Sequence, residues 1–203
     1  MYEIGQNIVY PTQGVGLVME IQEKSFNNKT VKYYKIYIRS TDIVVLVPVD
    51  TVASFGIRPI VSAEDARAAV DQIAKTVEPV QNDWKVRYQE NLALLKSGSI
   101  FDIVKIVCFL YNRSKIKDLP TQERKFFDSA KRLLQEEVAV ALNISEDEAV
   151  EMIHTELEAL CSSGETSKPP VDMDMDDGFD MGDDVFDDED DGEDDDDDDD
   201  EDD

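Results

Sequence analysis

The chain has 203 residues, 41% of them hydrophobic, and a formal net charge of −27 at pH 7. That length and apolar content suffice for one or two small domains, and no stretch reaches the ~18 consecutive apolar residues of a membrane span. Two cysteines without a CxxC spacing and a single histidine leave little material for redox, metal or acid–base chemistry.

Residues 1–61 read as β. The runs "NIVY", "GVGLVMEIQEKSF", "TVKYYKIYI" and "DIVVLVPVD" are rich in Val, Ile and Tyr. The stretches "PTQG", "NNK" and "STD" between them have turn composition. Four or five short strands without a helical period predict a small antiparallel barrel of SH3 or Tudor type. "DIVVLVPV" alternates poorly, so it is expected either to be buried on both faces or to pair with something outside the chain. Pro48 is expected to end its ladder or sit at an edge. "GVG" (Gly14 to Gly16) lies between strands and lacks a following helix and a "GK[ST]" ending, so the glycines are assigned to a tight turn rather than a phosphate loop. Met1 is followed by "YEIGQNIVY", which has no basic n-region, and with free thiols this predicts a cytoplasmic protein.

From Ser62 the pattern becomes helical, which places a domain boundary near Val61 and a helical domain over 62–161. Ser62 and Asp65 form a capping box before an Ala-rich run, and Pro79 breaks that helix. Asn82 or Asp83 can cap a second helix from Trp84 to about Lys96, with Tyr88, Leu92 and Leu95 at helical spacing and Val86 and Ala93 widening the stripe. Ser99 and Asp102 predict a cap for a helix to about Ser114, buried along Ile103, Ile106, Val107, Leu110 and Tyr111. Thr121 opens a long helix through Phe127, Ala130, Leu134, Val138 and Leu142. Ser145 and Glu148 cap a last one carrying Val150, Ile153 and Leu157. The expected architecture is α+β: the small barrel, then a compact five-helix domain. Cys108 and Cys161 read as core or half-buried thiols, and His154 as structural or at the surface.

Charge is distributed unevenly. Between Lys85 and Arg132 there are 11 basic and 5 acidic side chains, whereas Asp172 to Asp203 holds 23 acidic residues and no basic one. Residues 162–203 are therefore expected to be a disordered linker and acidic tail, because such a segment self-repels and buries no core. Met173, Met175, Phe179, Met181, Val185 and Phe186 punctuate its first half, a pattern open to docking or to simple solvation. A fold-back of the tail over the basic segment, in competition with nucleic acid, is a further expectation.

The only tryptophan, Trp84, stands in "NDWKVRY", a polar and locally basic setting. A tryptophan at the first turn of a helix either packs between helices or stands exposed beside cations, where it can stack on a base. Lys85, Arg87, "NRSKIK" and "ERK" supply basic groups at helix ends and a loop that can converge on one face.

The segments "VYPTQGVGLV", "VPVDTVASFGIRPIV" and "DWKVRYQENLALLKSGSIFDIVKIVCFLYNRSKIKDLPTQERKFFDSAKRLLQEEVAVAL" together resemble the CarD/CdnL family of bacterial transcription regulators, from about Tyr2 to Leu160. The β part also resembles the polymerase-interacting module of the transcription-repair coupling factor. The resemblance implies a Tudor-like domain that docks on the β subunit of RNA polymerase, largely by sheet-edge contact. It implies a helical domain that reaches promoter DNA at the upstream bubble edge and stabilises the open complex without chemistry. On the DNA side it implies a wedge at Trp84 that enters the minor groove, with the family's basic positions at Arg87, Arg113 and Arg124 and Lys125 next to the last; Lys85, beside the tryptophan, joins them as a residue able to reach phosphate. On the polymerase side it points to Lys24, which keeps the charge of an arginine seen in some members, and to Leu46, which does not. Basic residues of some members fall here on Gln89 and Val86, which weakens the expected DNA affinity. The expectation is a monomer with no catalytic residue, metal, cofactor, small-molecule substrate or membrane contact. The alternative is a protein-interaction adaptor that never touches DNA and whose acidic tail mimics it.

Overall fold

The β-branched runs of the first sixty residues pair with their chain neighbours, because short turns between them leave antiparallel pairing as the nearest way to satisfy the backbone. The computed structural model describes residues 1–26, 29–75 and 84–162, without the side chains of Phe26, Lys29, Trp84 and Ser162. The expected break at Pro79, the caps at Asn82 and Asp83, and the linker and tail from 163 onward lie outside the described residues. Strands β1 (Asn7–Tyr10), β2 (Gly14–Phe26), β3 (Lys29–Ile38), β4 (Ile43–Pro48) and β5 (Arg58–Pro59) make one antiparallel sheet in the order β4-β3-β2-β1-β5. The sheet does not close into a barrel: β4 and β5 are its two ends. A 3-10 segment, Val49–Phe55, carries the chain from one end to the other, and the two residues of β5 are used in pairing with β1.

Alternation sets the inner face. Tyr34, Ile36 and Ile38 of β3 stand with Val18, Ile8, Tyr10 and Val47 in a buried cluster that Val52 and Ile57 complete. The register steps between Val18↔Ile36 and Glu20↔Lys35, which leaves Met19 as an extra, exposed residue in β2. The turn after β1 is made by Pro11 to Gln13, so Gly14 and Gly16 begin β2 instead of forming the turn. Gly16 serves close packing: a Cβ there would stand 2.5 Å from the Ile36 side chain.

Five α-helices follow among the described residues: α1 (Ala63–Ile73), α2 (Trp84–Ser97), α3 (Ile100–Ile116), α4 (Thr121–Leu142) and α5 (Glu146–Ser162). The Asp65 N–H donates to the Ser62 hydroxyl at 3.1 Å, and the Glu148 N–H donates to that of Ser145 at 3.2 Å, so both caps form. Ser99 is the N-cap residue of α3 as expected, but its side chain makes no capping bond; Asp102 instead accepts from Ser97 and Lys105. α3 is the central element, with Ile103, Val104, Ile106, Val107, Cys108 and Leu110 buried against Ala69 and Ile73 of α1, Leu134 and Val138 of α4, and Ile153 and Leu157 of α5. Each such aliphatic side chain contributes about 1.5–3 kcal/mol on burial. Val86, Ala93 and Val150, expected on buried stripes, face outward. Cys108 is buried and Cys161 half-buried, both as free thiols.

Sheet and helices are joined by specific contacts as well as by apolar packing. Val9 and Val15 belong to the helical cluster. Arg58 of β5 forms a two-point ion pair with Glu137 of α4, whose side chain is 0% exposed, and also donates to the carbonyl of Gly98. The Val61 N–H donates to Glu137 at 3.3 Å, and the Val15 N–H to Glu136 at 2.9 Å. Gly56, at φ +69°, sits where a Cβ would meet the Lys96 carbonyl at 2.5 Å, so the backbones touch there only because the residue is glycine.

Candidate functional site

Two surfaces carry the residues singled out in the sequence. The first is the β4 end of the sheet. In a strand, residues two apart share a face, and Val44 (50% exposed) and Leu46 (41% exposed) both point away from the inner cluster, while Val47 between β4 and the core is buried. Val44 pairs with Tyr37 and Leu46 with Lys35 of β3. Among the described residues no strand pairs with the far side of β4. An exposed edge with apolar side chains is a template for another chain's strand. Lys24, exposed on β2, pairs with Val31 on the β2–β3 hairpin, beyond the β3 residues that pair with β4. This edge position resolves the poor alternation of "DIVVLVPV": Val47 is buried and Val45 half-buried against the sheet's own core, whereas Ile43, Val44 and Leu46 are exposed.

The second surface is the end of the helical bundle where α2 begins, α3 ends and α4 begins. Glu123, in the first turn of α4 and 1% exposed, gathers it. The Nε of Arg87 lies 2.7 Å from Oε1 of Glu123 and its Nη2 3.1 Å from Oε2. The Nε of Arg113, near the end of α3, stands 3.9 Å from Oε2 of the same carboxylate. Lys85 is exposed one residue after Trp84, Arg124 is exposed with Asp118 at 3.5 Å, and Lys125 is exposed beside it. Lys85, Arg87, Arg113, Arg124 and Lys125 therefore do converge on one end of the bundle.

They do not all face outward. Arg87, expected as a surface cation for phosphate, is 2% exposed and held in a two-point ion pair, with its guanidinium 5.9 Å from the Phe109 ring centroid. Arg113 is largely buried as well. A helical period places residue 87 on the same side as the core-facing Leu95 and Asn91, and a buried charge requires a partner, which Glu123 supplies. Glu123 is not among the residues that the sequence singles out; there it stands only within "ERK". An acidic residue in a helix's first turn is ordinary, so nothing local marks it as buried.

Nearby, Lys115 of α3 donates to Glu158 of α5 at 3.0 Å, and Tyr111 donates to the same carboxylate. These bonds hold the Glu158 carboxyl below its ordinary range and push the Lys115 ammonium up. His154 stands exposed 3.8 Å from Glu158. Among the described residues no three His, Cys, Asp or Glu side chains gather in a way that could hold a metal ion, and no helix is long and apolar enough to cross a membrane.

Residues 2–61 match the family model "CarD-like/TRCF RID domain", and residues 68–154 match "CarD, C-terminal domain". The "Putative transcription factor YdeB" of Bacillus subtilis is 32% identical over 150 residues, which cover 72% of this chain and 95% of the relative. A solution NMR structure of the 72-residue N-terminal domain of Myxococcus xanthus CarD shares 29% identity, with 29% of this chain and 79% of that one covered at a TM-score of 0.26. With both family domains present in order and the Bacillus relative matched over nearly its whole length, this chain belongs to the CarD-like family, a family of transcription regulators rather than of enzymes.

Proposed function

We propose that the chain works in the bacterial cytoplasm as a monomer, anchoring to the RNA polymerase β subunit by its β4 edge and touching promoter DNA at the upstream edge of the bubble. The contact stabilises the open complex and involves no bond-making chemistry. The observation that carries the reading is the β4 edge: its outer side has no partner strand among the described residues and exposes Val44 and Leu46, on a sheet tied to the helices by Arg58 and Glu137. Leu46 supplies an apolar contact and Lys24 a charge.

On the DNA side the reading assigns Trp84 as the wedge in the minor groove and Lys85, Arg124 and Lys125 as phosphate contacts. Arg87 and Arg113, buried around Glu123, support that surface from beneath. Few surface cations suffice, because anchoring on polymerase raises the effective DNA concentration to roughly mM. A stacked aromatic is worth about 1–3 kcal/mol, and about 1.4 kcal/mol of preference for the open state shifts its population tenfold.

The test is open-complex lifetime. Trp84→Ala is expected to shorten it by about tenfold while polymerase still co-purifies; an unchanged lifetime would remove the wedge. Leu46→Glu is expected to abolish co-purification with the β subunit. Burial of two expected phosphate contacts favours a second reading, in which the chain is an adaptor that binds protein alone and its acidic tail mimics DNA. Crosslinking from position 85 to promoter DNA separates the two, since the adaptor gives no crosslink.

A further inference from the structure

We propose that Arg87 and Glu123 form a positioning pair that fixes the first turn of α2, and with it Trp84, relative to α3 and α4; this rests on reading Trp84 as the group that meets DNA. Arg87 follows Trp84 by three residues, less than one helical turn and about 4.5 Å along the axis. Its guanidinium is a planar fork, and two parallel bonds to one carboxylate fix distance and rotation together, which a single contact would not. The same group lies over Phe109 of α3, and Glu123 also faces Arg113 of α3. One residue on, the Tyr88 ring meets Phe126 of α4 edge-on at 5.6 Å between centroids. The start of α2 is thus tied to two helices within one turn of the tryptophan.

A buried ion pair is a poor device for stability, since well-packed apolar residues serve equally well or better. It is a good device for orientation, because each partner is strongly disfavoured without the other. Glu123 is placed where a carboxylate is most favourable, at the N-terminal turn of α4. The burial also argues against Arg87 as a phosphate contact. To reach DNA it would have to leave a carboxylate that is itself 1% exposed.

The chain has one tryptophan, so its intrinsic fluorescence reports on this turn with neither DNA nor polymerase present. The measurement is time-resolved anisotropy and acrylamide quenching of the full chain, of R87Q and E123Q, and of the double variant R87M/E123M. Each single variant is expected to depolarise faster and quench more readily than the parent, and so is the double variant, because apolar packing replaces the burial and not the two-point geometry. Parent-like fluorescence in both single variants would overturn the proposal, as would a double variant as fixed as the parent. Should either single variant lose its helical circular dichroism, the double variant decides alone. It is expected to keep the parent slope of log affinity against log salt for promoter DNA, whereas loss of a phosphate contact would lower that slope by about 1 and overturn the proposal. Trp84→Ala tests the DNA reading separately, because a DNA affinity it leaves unchanged would fail that reading and leave the fluorescence comparison intact.

Discussion

Ser145 and Glu148 close the start of α5 reciprocally: the Ser145 N–H donates to the Glu148 carboxylate at 2.9 Å and the Glu148 N–H donates back to the Ser145 hydroxyl. The backbone bond, then the hydroxyl bond, holds the Glu148 carboxyl below its ordinary value of 4.5. With the folded value depressed, its contribution is present above 4.5 and is lost as pH falls through the folded value. Glu136 behaves oppositely. Burial pushes its carboxyl up, against the pull of the Val15 N–H, so its contribution is complete below 4.5 and is lost as pH rises through the folded value. Urea midpoints followed over about pH 2–7 should therefore show Glu148→Gln flattening the acid limb, and Glu136→Gln removing a loss of stability on the way to neutrality. Ser62→Ala, which removes the acceptor for the Asp65 N–H, should cost about 1 kcal/mol in the same assay.

Elements here differ in what a single change does to them. Leu134, fully buried between α3 and its neighbours, should cost about 2–5 kcal/mol as Leu134→Ala. Leu46, on the open β4 edge, should shift stability by no more than about 0.5 kcal/mol as Leu46→Glu, the variant expected to lose the polymerase. The joint between sheet and helices is more sensitive. Arg58→Met leaves the Glu137 carboxylate buried without its guanidinium, an expected loss of about 3–5 kcal/mol, while R58M/E137L should recover most of it. Denaturation of Arg58→Met, Glu137→Leu and R58M/E137L beside the parent gives the coupling directly as a double-mutant cycle. The helix starts at Ser62 and Ser145 were legible because donor and acceptor lie three residues apart. The start at Ser99 was legible too, but its side-chain bond was not: Ser97, two residues earlier, bonds Asp102 instead.

For the whole molecule, the dominant field is that of residues 172–203. Removing their 23 carboxylates leaves 20 basic against 24 acidic residues, a change from −27 to −4. Affinity for a labelled promoter duplex should then rise, most at low ionic strength, where the screening length is about 30 Å at 0.01 M against about 8 Å at 0.15 M. Fluorescence polarisation across a salt series checks this, and an equal affinity at every salt would mean that the tail exerts no field on the DNA surface. Composition and short-range pattern by themselves determined the strand and helix segments, the caps at Ser62 and Ser145, the free thiols and the acidic tail. Each depends on residues within one or two turns of one another. Only tertiary structure decided that the sheet stays open at β4, that Val86, Ala93 and Val150 face outward, and that Arg87 and Glu137 are buried. Those outcomes depend on partners 36 residues away for Arg87 and 79 for Glu137. A cation's sequence neighbours do not show whether a carboxylate from another helix will fold over it, and that meeting separates a surface cation from a buried one.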